Sequence, residues 1–308
     1  MKILRYQTSD IPPETVQPLT GDSFFASPGF LSLWARRGGR PIYWVAQDDS
    51  GIKALLPGVE FGRGPFRRFH AMPDGCYAQM HCASTNGADN EVVASLMTQT
   101  IARAGYVKAH IFDFHSSLSN VLGFDTQEFT TSIVDIDCEN WMPPDKTLQS
   151  ELRKAERENV SIQPFNAANH LDKFITLMQQ TEQRHGRKPK YSKKFFTDLA
   201  ALAQDDQRVI WLWCEHEGKA VTSHINFVEG GMVLNWQVYY DKAFSPLKAN
   251  QFMLYKMAKD QAARGVRRLN LGASPPDADT LADYKSKWGG RPYSYKCYYR
   301  KSGLGKFV

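Results

Sequence analysis

A lysine-containing segment late in the chain, residues 284–290 with the sequence YKSKWGG, holds the residue best placed for chemistry. It follows residues 269–272, whose composition predicts a buried strand that ends at Gly272. A lysine beyond such a strand can reach the edge of a sheet, where a fixed cation stabilises negative charge that develops on an oxygen. Lys285 is therefore the leading candidate. The alternative is a solvated loop lysine lying over Trp288, and Lys287 is better read as exposed.

A second candidate site lies at the start of a predicted helix, where residues 245–250 read SPLKAN. Helix N-termini bind phosphate through unpaired N–H groups and the helix dipole, and Lys248 would add charge beside Ala249 and Asn250. The competing interpretation is ordinary capping by Ser245, with Pro246 at the first helical position. The two are compatible, because a capped N-terminus can still face a ligand.

Basic residues are concentrated in residues 184–194, around Tyr191. Such a loop could bind the phosphates of CoA, the acceptor end of a tRNA, or a phosphorylated lipid- or nucleotide-linked sugar. A solvated run of charge is the equal alternative. The net charge of +6 permits an anionic partner without requiring one.

Titratable side chains occur on two neighbouring predicted strands. His224 lies in residues 222–227, a predicted central strand, and Tyr239 and Tyr240 lie on the next strand. Histidine has a pKa suited to proton transfer, although a satisfied interior histidine is the more common case. The tyrosines are likewise more often plain sheet aromatics.

The cysteine and histidine pattern argues against disulfides and metal. The five cysteines are scattered and form no CxxC pair, which indicates reduced thiols. The spacing within residues 70–82 (His70, Asp74, Cys76, His81, Cys82) matches no common zinc site, so we assign no metal ligand. The sequence contains no nucleophile elbow, Walker loop or dinucleotide-binding fingerprint. A nucleophilic catalytic triad is therefore not expected.

The bulk properties are those of a globular protein of about two domains, with 308 residues, 42% hydrophobic and 23% charged. No apolar run approaches the ~20 residues of a membrane span. Residues 1–13 lack the basic-then-apolar pattern of a secretory signal, so a cytoplasmic location is expected.

The predicted elements occur twice in one order: helix, strand, turn, strand, long helix, glycine, strand. In the first copy the strands are residues 42–46, 54–59 and 107–114, and the long helix is 91–104. In the second copy the strands are residues 209–214, 220–228, 232–240 and 266–271, and the long helix is 250–263. Gly105 and Gly265 follow the two long helices and are predicted to be left-handed C-terminal caps.

Residues 141–145, which break structure, mark the predicted junction, and residues 146–158 predict a strongly charged helix. The predicted domains are therefore residues 1–140 and 146–308.

This order of elements resembles the GNAT acyltransferase fold, and its tandem occurrence resembles the FemAB-like family of peptidoglycan aminoacyltransferases and related envelope or polysaccharide proteins. The second half carries most of the resemblance, in residues 152–160, Glu182 with Arg184 and Gly186, 192–196, 263–265, 271–272 and 284–289. The first half matches mainly in pattern, through Phe24, Phe25, Pro28, Phe30 and Trp34.

The resemblance implies an α/β (α+β) fold of two tandem GNAT-like domains, each a mixed, mostly antiparallel sheet flanked by helices, with the first domain degenerate. It implies an N-acyltransferase that moves an acyl group from acyl-CoA, or alternatively aminoacyl-tRNA, to an amine. The acceptor would be a small molecule or a lipid- or nucleotide-linked precursor of the cell envelope or a polysaccharide. We expect no tightly bound cofactor and no DNA partner, and leave tRNA and peripheral membrane contact open.

Residue roles also follow from the resemblance. Lys285 would stabilise the oxyanion or a donor phosphate, and direct transfer needs no enzyme nucleophile. His224, or a water that it orients, would take the amine proton, and Tyr239 or Tyr240 would protonate the leaving group. The other predicted contacts are Lys248, Ala249, Asn250 and Arg184 for the donor, and Tyr77 and Trp236 for the acceptor.

Two departures leave the donor open. Residues 244–250 lack the glycines of the family's phosphate turn, and Asn270 stands where aspartate is frequent. The basic loop and the missing glycines favour aminoacyl-tRNA, whereas the absence of a helical coiled-coil insertion disfavours it. A third hypothesis is a catalytically inactive GNAT-fold scaffold of an envelope or polysaccharide assembly.

Overall fold

The computed structural model describes residues 1–137, 140–158, 160–274 and 279–303. Cys138 and Asn159, which belong to the sequence patterns above, lie outside the described residues. Within the described part of the chain, no helix is long and apolar enough to cross a membrane.

Up to residue 113 the chain forms six strands and three helices. In order they are β1 (Lys2–Gln7), α1 (Pro13–Thr20), α2 (Pro28–Ser32), β2 (Arg40–Asp48), β3 (Gly51–Phe61), β4 (Arg68–Ala71), β5 (His81–Cys82), α3 (Gly87–Arg103) and β6 (Lys108–Asp113).

The rest of the described chain forms seven strands and five helices. They are β7 (Asp125–Asp135), α4 (Lys146–Arg157), β8 (Ile162–Pro164), α5 (Ala167–Arg184), α6 (Lys193–Asp205), β9 (Val209–His216), β10 (Lys219–Glu229), β11 (Met232–Tyr240), α7 (Ala249–Ala263), β12 (Arg268–Ala273), α8 (Asp279–Lys287) and β13 (Arg291–Lys301).

Contacts group the chain into two compact units. Unit 1 is Met1–Phe129 with the stretch that begins at Ser294, and unit 2 is Thr130–Tyr293. Trp141, in the predicted junction, is buried in unit 2 and stacks on Trp288 with ring centroids 6.3 Å apart. The division into residues 1–140 and 146–308 stays a prediction about independent domains.

Each unit contains the same ladder of six strands. In unit 1 the order is β1-β2-β3-β4-β6-β13, and in unit 2 it is β8-β9-β10-β11-β12-β7. In both, the first three pairings are antiparallel, the fourth is parallel and the fifth is antiparallel. The parallel pairing follows a crossover helix, α3 in unit 1 and α7 in unit 2. The predicted mixed, mostly antiparallel α/β fold is confirmed.

The two predicted glycine caps are present, and a third glycine turn joins two strands. Gly105 and Gly265 follow α3 and α7 in the left-handed region, with φ of 74° and 87°. Gly230 and Gly231, at φ of 54° and 74°, close the hairpin between β10 and β11, where two consecutive positive φ angles match the twist of the strands.

Helices cover both faces of the unit 2 sheet. On one face α4 and α7 bury apolar side chains such as Leu152 and Met257 against the strands. On the other face Phe174 of α5 packs edge-on against Phe196 of α6 and Trp211 of β9, each with centroids 4.8 Å apart. This sandwich fixes the strands that carry the site.

Candidate active site

A cavity of about 860 Å³ opens in unit 2. Its walls come from the outer part of β11, the end of β12, the first turns of α7 and the inner face of α8. That volume lies within the range of small-molecule sites.

The cavity exists because β11 and β12 separate. Their parallel pairing runs from Met232↔Arg268 to Leu234↔Asn270, although β11 continues to Tyr240. The register between β10 and β11 shifts after Ile225, so that Trp236 is an extra residue on β11. Such a bulge bends its strand, which here leaves the second half of β11 open on the β12 side.

Lys285 lines this cavity from a helix, not from the turn that the sequence suggested. Residues 279–287 form α8, and the turn comes only after it. Trp288 is fully buried, Gly289 is left-handed at φ 81°, and the Gly290 amide donates to the Lys285 carbonyl at 3.0 Å. A Cβ on Gly290 would lie 2.3 Å from Ser132 Oγ, so glycine is required for the chain to pass at this point.

The Lys285 ammonium is buried and fixed. The residue is only 4% exposed, and its Nζ donates to the carbonyl oxygens of Gly272 at 2.7 Å and Ala273 at 2.9 Å. Burial lowers the pKa of Lys285 from its usual 10.5 to about 8. Since an ammonium has three N–H donors and two are used, one remains for a group in the cavity.

Asn270 shapes the carbonyls that hold this lysine. Its Oδ1 accepts from the Gly272 amide at 2.8 Å and from Thr131 Oγ at 2.6 Å. Gly272 has φ 76°, a conformation that strains other residues. The asparagine side chain thus stabilises the turn that points two carbonyl oxygens at Lys285.

His224 also lines the cavity and is 1% exposed. Its Nε2 lies 2.8 Å from Asn250 Oδ1, which also accepts from Thr222 Oγ at 3.1 Å. With Oδ1 as the shared acceptor, the histidine proton sits on Nε2, and Nδ1 has no hydrogen-bond partner among the described residues. Burial lowers the pKa of His224 to about 4, so the ring is neutral at physiological pH.

The N-terminus of α7 faces the cavity through Lys248, Ala249 and Asn250. Capping by Ser245, one reading of the sequence, is wrong: Lys248 is the N-cap residue, at φ 56°, and no side chain caps the helix. Ser245 belongs to a preceding 3₁₀ turn, which Asp241 caps through Ala243 N at 2.9 Å. The first-turn amides of α7 are therefore available to an anion.

An acid stands beside this N-terminus. Glu151 of α4 pairs with Lys248 Nζ at 2.7 Å and accepts from Gln251 Nε2 at 3.4 Å. The carboxylate neutralises Lys248, so that any phosphate reaching the helix must share or displace this ion pair.

The basic loop divides into contacts of different kinds. His185 and Arg187 line the cavity, and Arg187 Nε is paired with Glu182 at 3.0 Å. Arg184 does not line the cavity. It donates to the Tyr240 carbonyl at 3.0 Å and lies 4.4 Å from the centre of that ring, which itself forms part of the wall.

Of the predicted site residues Trp236, Tyr239 and Tyr77, one lines the cavity and two do not. Trp236 lines the cavity. Tyr239 does not, because alternate residues of a strand face opposite ways, and its ring packs on Phe174 with centroids 5.4 Å apart. Tyr77 belongs to unit 1, where it is buried and stacks on Phe114 with centroids 4.2 Å apart.

Sequence reasoning left part of the site unassigned. Tyr240, which the sequence named only as a titratable residue beside Tyr239, lines the cavity on the same alternating face as Trp236 and Val238. Tyr284 lines the cavity beside Lys285 on α8. Glu151, which pairs with the wall residue Lys248, comes from a helix 97 residues earlier in the chain. No local pattern could have indicated that ion pair.

Comparison with known proteins gives a family for this site. Residues 145–286, which include most of the cavity wall, match the family model described as acetyltransferase (GNAT) domain. The crystal structure of FemX superposes with a TM-score of 0.72 at 12% identity, covering 96% of this chain and 97% of that one. Residues 145–286 therefore match a GNAT domain, and the chain as a whole has a FemX-like fold.

Two further structures are similar to this chain over almost its whole length. L-PGS from Bacillus licheniformis has a TM-score of 0.60 at 14% identity, covering 96% of this chain and 94% of that one. A tandem GNAT protein from the clavulanic acid biosynthesis pathway has a TM-score of 0.54 at 9% identity, covering 98% and 99%. Comparison with curated protein sequences finds no match. The predicted resemblance and the tandem GNAT-like fold are confirmed, and the match to an acetyltransferase (GNAT) domain supports an acyltransferase.

Proposed function

We propose that unit 2 transfers an acyl group from acyl-CoA to the amine of an acceptor that enters the cavity described above. The observation that carries the proposal is the buried Lys285 ammonium, held by Gly272 and Ala273 at the point where β11 and β12 separate. An open cavity of about 860 Å³ at this point supports an active enzyme over the inactive scaffold.

The reaction requires no covalent enzyme intermediate. The neutral amine attacks the acyl carbon, a C–N bond forms, and the carbonyl electron pair moves onto oxygen. The remaining N–H of Lys285 would stabilise this oxyanion. The C=O bond then re-forms as the C–S bond breaks, and the thiolate takes up the proton that the nitrogen loses, which yields an amide and free thiol.

His224 acts in this scheme as a hydrogen-bond acceptor that orients the amine or a water. A base with a pKa of about 4 is too weak to remove a proton from an ammonium. The role expected for His224, taking the proton of the amine, is therefore not part of the proposal. Tyr239 also has no part, since its hydroxyl donates to Gln237 Oε1 at 3.1 Å and burial raises its pKa.

The donor phosphates would bind at the uncapped start of α7, with Lys248 as the cation and the first-turn amides of Ala249 and Asn250 as donors. Trp236 would contact the acceptor. FemX and the C-terminal domain of a putative lysylphosphatidylglycerol synthetase share the fold, which supports a lipid- or nucleotide-linked envelope precursor as the acceptor.

Aminoacyl-tRNA is the second candidate donor. The Lys248–Glu151 ion pair favours it, because Glu151 neutralises the cation that would bind the phosphates of CoA. His185 and Arg187 on the cavity wall favour it as well. The chemistry is the same, except that a C–O ester bond breaks.

Two assays test these proposals together. The protein is incubated with an amine panel and either acetyl-CoA or charged tRNA, with and without RNase, and amide product is measured by mass. With acetyl-CoA we expect free thiol and amide product, in amounts that RNase does not change. Product from charged tRNA alone, abolished by RNase, would favour the second donor, and failure of both donors to bind in calorimetry would favour the scaffold.

A further inference from the structure

A separate surface of unit 1 combines exposed cations with an exposed aromatic ring. The tight loop between β3 and β4, residues 62–67, carries Phe66, whose surface is 53% exposed. Single exposed apolar residues are ordinary on protein surfaces, so the ring alone carries no inference. Its neighbours and the way the loop is built give it significance.

The loop is constructed to present Phe66. A Cβ on Gly62 would lie 2.4 Å from the Phe66 carbonyl oxygen, and Gly62 has φ 77°, so only glycine fits the start of the turn. The Phe66 amide donates to the Arg63 carbonyl at 3.1 Å, and Arg40 donates to the Gly62 carbonyl at 3.0 Å. The ring therefore projects from a defined turn with Pro65 beside it.

Arginines surround this apolar tip. Arg67 donates to the Ala104 carbonyl at 2.8 Å, which joins the loop to the end of α3. Pro65, Arg103 and Arg300 line a recess of about 290 Å³ next to the loop. The cations of this surface are Arg63, Arg67, Arg68, Arg103, Arg300 and Lys301.

No carboxylate in these segments balances the charge. Residues 62–68, 102–108 and 299–303 contain no aspartate or glutamate. Glu60, near the end of β3, is fully buried and pairs with Arg5 at 2.7 Å, Arg40 at 3.6 Å and Arg67 at 3.7 Å, so among the cations of this surface it balances Arg67. The surface thus has an apolar tip, and the charged side chains of these three segments are all cations.

We propose that this surface, formed by residues 62–68 with Arg103, Arg300 and Lys301, docks the protein on an anionic phospholipid bilayer. Phe66 enters the headgroup–acyl boundary, and the arginines meet lipid phosphates, with the recess between Arg103 and Arg300 sized for one headgroup. A bilayer fits better than a nucleic acid, because the aromatic ring stands at a loop tip beside proline and not on a flat stacking platform.

Vesicle co-sedimentation of the full chain tests this docking. Phosphatidylcholine vesicles are compared with vesicles of equal parts phosphatidylcholine and phosphatidylglycerol, at low and high salt. We expect binding only to the anionic vesicles, weakened by salt. Phe66→Ser should reduce binding about tenfold, and R63E with R103E should reduce it by more than about tenfold.

Leu96→Ser is the matched control, since Leu96 is also exposed, at 40%, but lies on α3 outside this surface. It should bind like the unaltered protein, and thermal unfolding should be unchanged in all variants. Absence of anionic-vesicle binding, equal losses in Leu96→Ser, or unchanged binding by both surface variants would overturn the proposal. So would binding to tRNA, but not to vesicles, that depends on Arg63 and Arg103.

Discussion

The Nζ of Lys285 lies 2.7 Å from the carbonyl oxygen of Gly272, which ties a helix-borne cation to the end of a neighbouring strand. The lysine has no described carboxylate partner, and its charge is balanced only by carbonyl dipoles. The two carbonyl oxygens hold the cation in place without neutralising it, so its full positive charge can stabilise an anion in the cavity.

Removing this charge should abolish most of the activity. Lys285→Met keeps the length of the side chain and should lower kcat/KM about a hundredfold or more, the usual effect of losing one oxyanion donor. Lys287→Met, two residues later on the exposed side of α8, is the control and should stay near the original rate. Similar rates for both variants, with folding intact, would remove Lys285 from the chemistry.

The pH dependence distinguishes two roles for Lys285. With a pKa of about 8, the side chain is charged below pH 8 and neutral above it. If the cation stabilises the oxyanion, kcat should fall as the pH rises through about 8, and Lys285→Met should lack that limb. A rate that instead rises through pH 8 would indicate that neutral Lys285 acts as a base.

The same lysine should make folding stability depend on pH. Its folded-state pKa lies below its usual 10.5, so the unfolded chain binds more protons between about pH 8 and pH 10.5, and stability from this group rises across that window. The rise is at most about 3 kcal/mol. The free energy of unfolding should be measured for the original protein and Lys285→Met, and their difference compared, because tyrosines and cysteines also titrate there. A difference that is flat with pH would contradict the lowered pKa.

Asn270 should affect activity through Gly272. Asn270→Ala removes the acceptor for the Gly272 amide and should lower both stability, by about 1–3 kcal/mol, and kcat. Thr131→Val removes a donor to the same oxygen but leaves Gly272 bonded, so its kcat should change much less at a similar stability loss. Equal kcat values in the two variants would mean that the turn does not position Lys285.

Glu151 should weaken donor binding. Glu151→Gln releases Lys248 from its ion pair and should lower KM for a phosphate-bearing donor several-fold while kcat is unchanged. Glu156→Gln, exposed on the same helix, is the control. An unchanged KM in Glu151→Gln would argue that no phosphate binds at the start of α7.

Local chemistry made the strands and hairpins predictable. The pair Gly230-Gly231 and the caps Gly105 and Gly265 need no partner elsewhere in the chain to show their role. β11 was predicted with the bounds that the structure gives it.

Features set by distant contacts could not be predicted. Helix α8 depends on Trp288 stacking on Trp141 and on the close passage of Gly290, neither of which leaves a local pattern. Asp241 caps a 3₁₀ turn that contains Ser245, so Ser245 does not cap α7 as expected. The face on which Tyr239 lies was fixed by strand register, which the bulge at Trp236 alters.

The order of the ladders has a consequence for biosynthesis. Unit 1 takes its sixth strand from β13, which pairs with β6 through residues 296–301, whereas all six strands of unit 2 precede residue 274. The half of the protein that leaves the ribosome first is therefore the half that finishes folding last. Until β13 emerges, β6 has an open edge, the kind of template on which nascent chains aggregate, so that protection by chaperones should be needed until β13 has been made.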